Sequence, residues 1–211
     1  MEDLVGVTAR TLYISTTATL LAALWGIPIA YTIAWKRLHT LAAVFEALVG
    51  VPTVLIGLLL YLLLSKQGPL GGLNLLYTPT AIIIGEAILV TPLIVGASHR
   101  ILKVSIDTYG ELAASLGSSR IQAMTLALAE SLPGLASSTA MAFSRAVGEL
   151  GVALLVGGNL RGYTRTLSTS IALEVSMGEY GDAIKLGAVL LSLSLGFSII
   201  ARLLGDRVDR G

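Results

Sequence analysis

TLYISTTATLLAALWGIPIAYTIAW, residues Thr11–Trp35, runs for 25 residues without a charged side chain. A membrane crossing needs about 20 predominantly apolar residues to traverse roughly 30 Å of hydrocarbon. The stretch is long enough for one tilted crossing, closed by Arg10 and Lys36. Its apolar core is longer than that of a signal peptide, and Glu2 and Asp3 stand ahead of it where a basic cluster would be. It therefore reads as a retained first span.

The rest of the chain has the same character. Of 211 residues, 55% are apolar and 13% charged, with 14 Lys and Arg against 13 Asp and Glu. The mean hydropathy is +0.84. Soluble domains carry about a quarter of their residues as charges. So few cannot build a wetted surface, which excludes a soluble enzyme. The net charge of +1 excludes a nucleic-acid binder working through bulk basicity. The absence of cysteine excludes disulfides, thiol chemistry and Cys-ligated metals. His39 and His99 lack metal-ligand spacing, and no nucleophile–base set is visible, so neither a metal nor a catalytic residue is expected.

Outward from the first stretch, a second span is expected over about 41–65, interrupted by Glu46. "KQGPLGGLNLLYTPT", Lys66–Thr80, reads as a Gly/Pro loop. A third span at about 79–97 holds Glu86, a fourth lies at about 132–156 and a fifth at about 183–204. The expectation is an all-α, polytopic helix bundle in the bilayer, one domain over 1–211, with about five transmembrane helices. With the N-terminus outside, the cytoplasmic segments hold Lys36, Arg37, Arg100, Lys103, Arg120, Arg202, Arg207 and Arg210. The outer ones hold Arg10, Lys66, Arg161, Arg165 and Lys185. The positive-inside rule then places a multi-pass protein in the cell membrane, N-terminus outside and C-terminus cytoplasmic.

On that topology the polar stretch 98–130 faces the cytoplasm and is too long for a simple turn. Its periodicity predicts a short helix capped by Asp107, a turn at Gly117 and a second helix. It is either an amphipathic connector on the membrane or a docking element for a cytosolic partner. "ELAASLG", Glu111–Gly117, resembles the EAA loop of the membrane subunits of binding-protein-dependent ABC importers, with Glu111, Ala113 and Gly117 in register and Leu112 replacing the first Ala. "GPLGGLNLLYTPTAIIIGEAIL" from Gly68 and "SRAVGELGVALLVGGNLRGYTRTLSTSIALEVSMGEY" from Ser144 resemble the membrane subunits of tungstate importers, and less closely those for molybdate and sulfate.

The resemblance spans about Thr11 to Leu204. It implies a coupling helix that docks into an ABC ATPase subunit through Glu111, Ala113, Ala114 and Gly117. It implies an extracytoplasmic oxyanion-binding protein as a second partner. No Gly-Lys pair occurs, so the chain has no Walker A loop. No cofactor is expected in this chain, and ATP with Mg would belong to the ATPase.

Arg145 and Glu149, four apart in the fourth span, would share a helix face. They read as a structural ion pair, or as a place where Arg145 meets a passing oxyanion. Glu46 and Glu86 have no evident sequence partner. Ala140, Ser144 and Gly148, with Ser138, Ala142 and Ala146, form small-residue faces suited to close helix packing. Five spans rarely enclose a gated path alone, so a homodimer is expected. The outer stretch Gly157–Asp182 offers Asn159, Arg161 and Arg165 as contacts to substrate or binding protein. The alternatives are an ATP-independent secondary transporter or channel for a small anion, with Glu86, Arg145 and Glu149 coupling ions, and a membrane scaffold.

Overall fold

The computed structural model describes residues 3–205, with the side chains of Glu111, Ala114 and residues 200–205 outside that description. The orientation count above also used Arg207 and Arg210, which lie outside the described residues, and Arg202, whose side chain does.

Helix α1 (Leu4–Lys36) starts where Asp3 accepts from the Val5 N–H at 3.2 Å, and ends on Arg37 in the left-handed region, φ 54°. The second span is broken. Helix α2 (His39–Leu48) and helix α3 (Thr53–Leu64) meet at 91°. Gly50 and Pro52 explain the break, because a residue ahead of proline is driven out of helical geometry. A 3-10 turn at Gly71–Leu73 leads to α4 (Pro79–Ser115), which begins on a proline where no N–H partner is needed.

Helix α5 (Arg120–Val147) bends by 58° into the short α6 (Gly151–Gly157). Helix α7 (Leu167–Ser176) lies inside the outer stretch expected to be a loop, nucleated by a capping box between Thr166 and Thr169. Helix α8 (Tyr180–Gly205) closes the described chain. Among the described residues α1, α4 and α8 are each long and apolar enough to cross a bilayer; taking each bent pair as one crossing gives five.

Helix α1 packs along α4, α4 along α5, and α5 along α8. The main core gathers Ile14, Ala18, Ile82, Val90, Val152 and Val156. Two ends are defined by polar ties. At one, the Arg10 guanidinium donates to the Arg165 carbonyl at 2.8 Å. At the other, Arg37 pairs with Asp107 at 2.9 Å, and Arg120 sits 5.2 Å over the Trp35 ring. Asp107 is thus a mid-helix partner for the end of α1 and not the expected cap. The helix is continuous there because α4 already runs from Pro79, so no new start is needed.

The two breaks meet in the middle. A Cβ at Gly57 on α3 would lie 3.2 Å from the Gly151 carbonyl oxygen and 3.2 Å from Val152 Cα. Only a missing side chain lets these half-helices touch through their backbones. By contrast, a Cβ at Gly187 on α8 meets nothing within 4 Å. Gly57→Ala is expected to destabilise by about 1–3 kcal/mol through overpacking, while Gly187→Ala is neutral or stabilises by up to about 1 kcal/mol. Thermal unfolding of the two variants in detergent checks the contrast.

Candidate functional site

Two places in the fold carry chemistry that packing alone does not require. The first is the α5–α6 break. Arg145 is in the last turn of α5, but Glu149 lies beyond the Gly148 cap, so the two do not share a face of one helix as their spacing suggested. The bend brings them together instead: Arg145 Nη1 donates to Glu149 Oε2 at 2.8 Å. The Glu149 side chain is only 2% exposed and that of Arg145 44%. Glu149 Oε1 also accepts from the Val152 N–H at 3.1 Å, closing the start of α6. Ser168 Oγ on α7 donates to the Glu149 carbonyl at 2.7 Å. One residue therefore ties α5, α6 and α7.

Beside it lies a polar stripe on α1. Thr11, Ser15 and Thr19 are all buried. Thr11 Oγ1 accepts from the Leu167 N–H at 2.9 Å. Ser15 is next to Glu86 of α4, and the charges of Arg145 and Glu149 reach that carboxyl. Glu86 is 1% exposed. Its Oε2 and the Ser15 Oγ have no hydrogen-bond partner among the described residues. Sequence reasoning noted Glu86 and counted Ser168 among the hydroxyls of the outer stretch, but it missed Ser15 and did not foresee that Ser168 would bond to Glu149. The signal for Ser15 was present: Thr11, Ser15 and Thr19 recur every fourth residue within the charge-free stretch and mark one face.

The second place is the α4–α5 turn. The helical residues expected in 98–115 continue α4 without a break. Gly117 then turns the chain at φ +74°. The Ser118 N–H donates to the Ala113 carbonyl at 2.9 Å, the six-to-one bond of a Schellman end. Ser119 caps α5 in a capping box with Gln122. Ala113 is 3% exposed, whereas Leu112, Leu116 and Ile121 are 52%, 76% and 73% exposed. The turn therefore presents three apolar side chains around a fixed glycine reversal. At 37 residues α4 is about 56 Å long, well beyond the roughly 30 Å of hydrocarbon that one crossing spans.

At the opposite end Asn159, Arg161 and Arg165 are not gathered about a common centre. Arg165 Nε donates to Asn159 Oδ1 at 3.0 Å and Nη2 to the Asn159 carbonyl at 3.3 Å. Thr164 Oγ1 donates to the Gly157 carbonyl and accepts from the Leu160 N–H. These bonds close the 157–166 loop on itself, and the Arg10 guanidinium ties it to α1. Arg161 is exposed.

A bundle of long and broken apolar helices, with charge buried at a break and an exposed apolar turn at one end, is the architecture of a multi-pass membrane protein. Residues 18–210 match the family described as binding-protein-dependent transport system inner membrane component, and the chain belongs to it. It is 39% identical to a tungstate uptake system permease protein of Peptoclostridium acidaminophilum, over 89% of this chain and 84% of that one. It is 34% identical to a probable anion ABC transporter permease protein of Haloferax volcanii, over 97% and 91%. A molybdenum transport system permease protein of Escherichia coli is 26% identical over 90% and 88%. The protein is thus the membrane permease of a binding-protein-dependent ABC importer, a transport component and not an enzyme, and the family implies an ATPase subunit and a substrate-binding protein as its partners.

Removing one partner of a buried ion pair costs about 3–5 kcal/mol where both are buried, less here because Arg145 is part-exposed. Both Glu149→Gln and Glu149→Leu remove the ion pair, but Glu149→Gln keeps an oxygen for the Val152 N–H and Glu149→Leu loses that bond as well. Thermal unfolding is expected to rank wild type above Glu149→Gln and Glu149→Leu lowest; equal losses for the two would show that the backbone bond contributes nothing.

Proposed function

We propose that two copies of this chain form the translocation path of an ATP-driven oxyanion importer, with tungstate as substrate. What carries the substrate reading is the 39% identity, over 89% of the chain, to a permease named for tungstate uptake. Molybdate and sulfate permeases are more distant, at 26% and 28% identity. The chemistry at the α5–α6 break supports it. A part-exposed guanidinium held by a buried carboxylate offers a passing oxyanion a contact that is attractive and reversible.

In this reading the N-terminus is outside, and the Gly117 turn faces the cytoplasm. The ATPase binds and hydrolyses ATP with Mg; the chain itself holds no cofactor. Glu111, Ala113, Ala114 and Gly117 form the coupling element, and Leu112 and Leu116 enter a groove of the ATPase. Arg161, with Asn159 and Arg165 behind it, faces the binding protein. Nucleotide-driven movement of the turn shifts the helices between outward-open and inward-open states.

Reconstitution into proteoliposomes with the ATPase and binding protein tests this. ATP turnover is expected to rise most with the tungstate-loaded binding protein; a larger response to sulfate overturns the substrate. Arg145→Ala, with uptake normalised to the assembled complex because the variant also leaves Glu149 without its counter-charge, is expected to lower uptake at least tenfold, and unchanged uptake removes Arg145 from the path. Gly117→Val forces a β-branched residue to φ +74°, a strain of about 1–3 kcal/mol. It is expected to weaken ATPase association, measured by co-purification, without changing the yield of the permease.

A further inference from the structure

A cleft of about 230 Å³ between α2 and α4 is used by none of this. It is lined by Glu46, Val49, Leu93, Gly96, Ala97 and Arg100. Its depth in the bilayer follows from α4. From Pro79 to Arg100 that helix rises about 31 Å, close to the thickness of the hydrocarbon. Setting Pro79, where the helix starts, at one membrane boundary puts Arg100 at the other, on the Gly117 end, with Leu93, Gly96 and Ala97 inward of it. The cleft has a cationic mouth and an apolar interior.

The mouth is loosely closed. Arg100 Nη1 is 3.6 Å from Glu46 Oε1, too far for a good hydrogen bond, and the Arg100 side chain is 69% exposed. Lys103, one turn further along α4, is exposed. His99 beside them is 8% exposed, with Nδ1 lacking a partner among the described residues. Glu46, Lys103, His39 and Arg100 all act on that imidazole. Within this belt Lys36, Arg37, Arg100 and Lys103 outnumber Glu46 and Asp107, leaving a positive excess.

Helix α2 completes the setting. Its 91° bend from α3 lays it across the crossing direction. Leu41, Val44 and Leu48, spaced along one face, are 41%, 47% and 43% exposed. An apolar stripe running beside a basic belt is how an interfacial helix sits at the headgroup boundary. An ATPase docked at the Gly117 turn does not reach this level, because α4 rises about 22 Å from Arg100 to its end at Ser115.

We propose that the α2–α4 cleft binds the phosphate of an anionic phospholipid, with Arg100 and Lys103 as its ligands and Val49, Leu93, Gly96 and Ala97 holding the adjoining acyl chain. Phosphate oxygens displace Glu46 from Arg100, whose guanidinium has further donors to offer. Two cations and an apolar slot together distinguish this from general attraction to a charged surface.

Native mass spectrometry of the detergent-purified permease tests the site, using phosphatidylglycerol and phosphatidylcholine of identical chains. The wild type is expected to retain phosphatidylglycerol at least fivefold better, with the preference falling as salt is raised. Arg100→Gln combined with Lys103→Gln is expected to bring the ratio close to one, while Lys185→Gln at the opposite end leaves it unchanged. An unaltered thermal midpoint in the double variant shows that it folds. If that variant unfolds, Leu93→Trp, which fills the slot and keeps both cations, is expected to lower retention of both lipids. Equal retention of the two lipids by wild type, or an unchanged ratio in the folded double variant, overturns the proposal. So does displacement of the lipid by millimolar inorganic phosphate, which would make the site one for a free anion. The readout is independent of transport, so the substrate reading and the lipid site stand or fall separately.

Discussion

Inside a bilayer no water is at hand for a peptide group, so wherever a helix stops the protein must close the open N–H and C=O groups itself. This chain stops a helix twice within its expected spans, and the constraint shapes what surrounds each stop. At the α5–α6 break Glu149 answers it: its carboxylate takes the Val152 N–H, its own N–H donates to the Ala146 carbonyl, and Ser168 donates to its carbonyl. A carboxylate doing backbone work at that depth requires a counter-charge, and Arg145 supplies it at 2.8 Å. At the α2–α3 break the backbone closes on itself, with the N–H groups of Leu55 and Ile56 donating to the Pro52 carbonyl. No side chain is needed there, and none is offered by the cap.

The same logic governs the Arg165 end. Its hydroxyls and amides look, as a list of residue types, like a binding surface. In the fold they are engaged in holding a short reversal against α1 and α7: Thr164 within the 157–166 loop, Thr166 as a cap, Thr11 as an acceptor for the start of α7. Polar side chains near a membrane surface have two competing uses, and here local backbone demand takes most of them.

Much of this was legible in the sequence. Charge-free length announces a crossing directly, so the all-helical membrane class followed from Thr11–Trp35 and the scarcity of charge. The Gly117 reversal was legible because glycine is the residue that tolerates φ +74°. The angles of the breaks were not, because hydropathy sums over both halves of a bent pair and is blind to the angle between them. Gly50 with Pro52 marked one break, but Gly148 and Gly151 also suit close packing and gave no separate sign. The error over Arg145 and Glu149 came from assuming a continuous helix, since spacing of four implies a shared face only while the helix lasts. The side chains of Glu111 and Ala114 lie outside the described residues, so their part in the turn rests on the resemblance.

The unbroken run of α4 has a mechanical meaning. It is a single rod with its foot at the 66–78 loop and its tip near Gly117, interrupted only by Pro92, which lacks the N–H that would stiffen that turn. From Pro92 to Ser115 the rod is about 35 Å long. A tilt of roughly 10° about that point carries the tip through about 6 Å, a distance comparable to one helical turn. The rod thus has the geometry of a long arm: a small angular change at Pro92 is magnified several-fold at its tip.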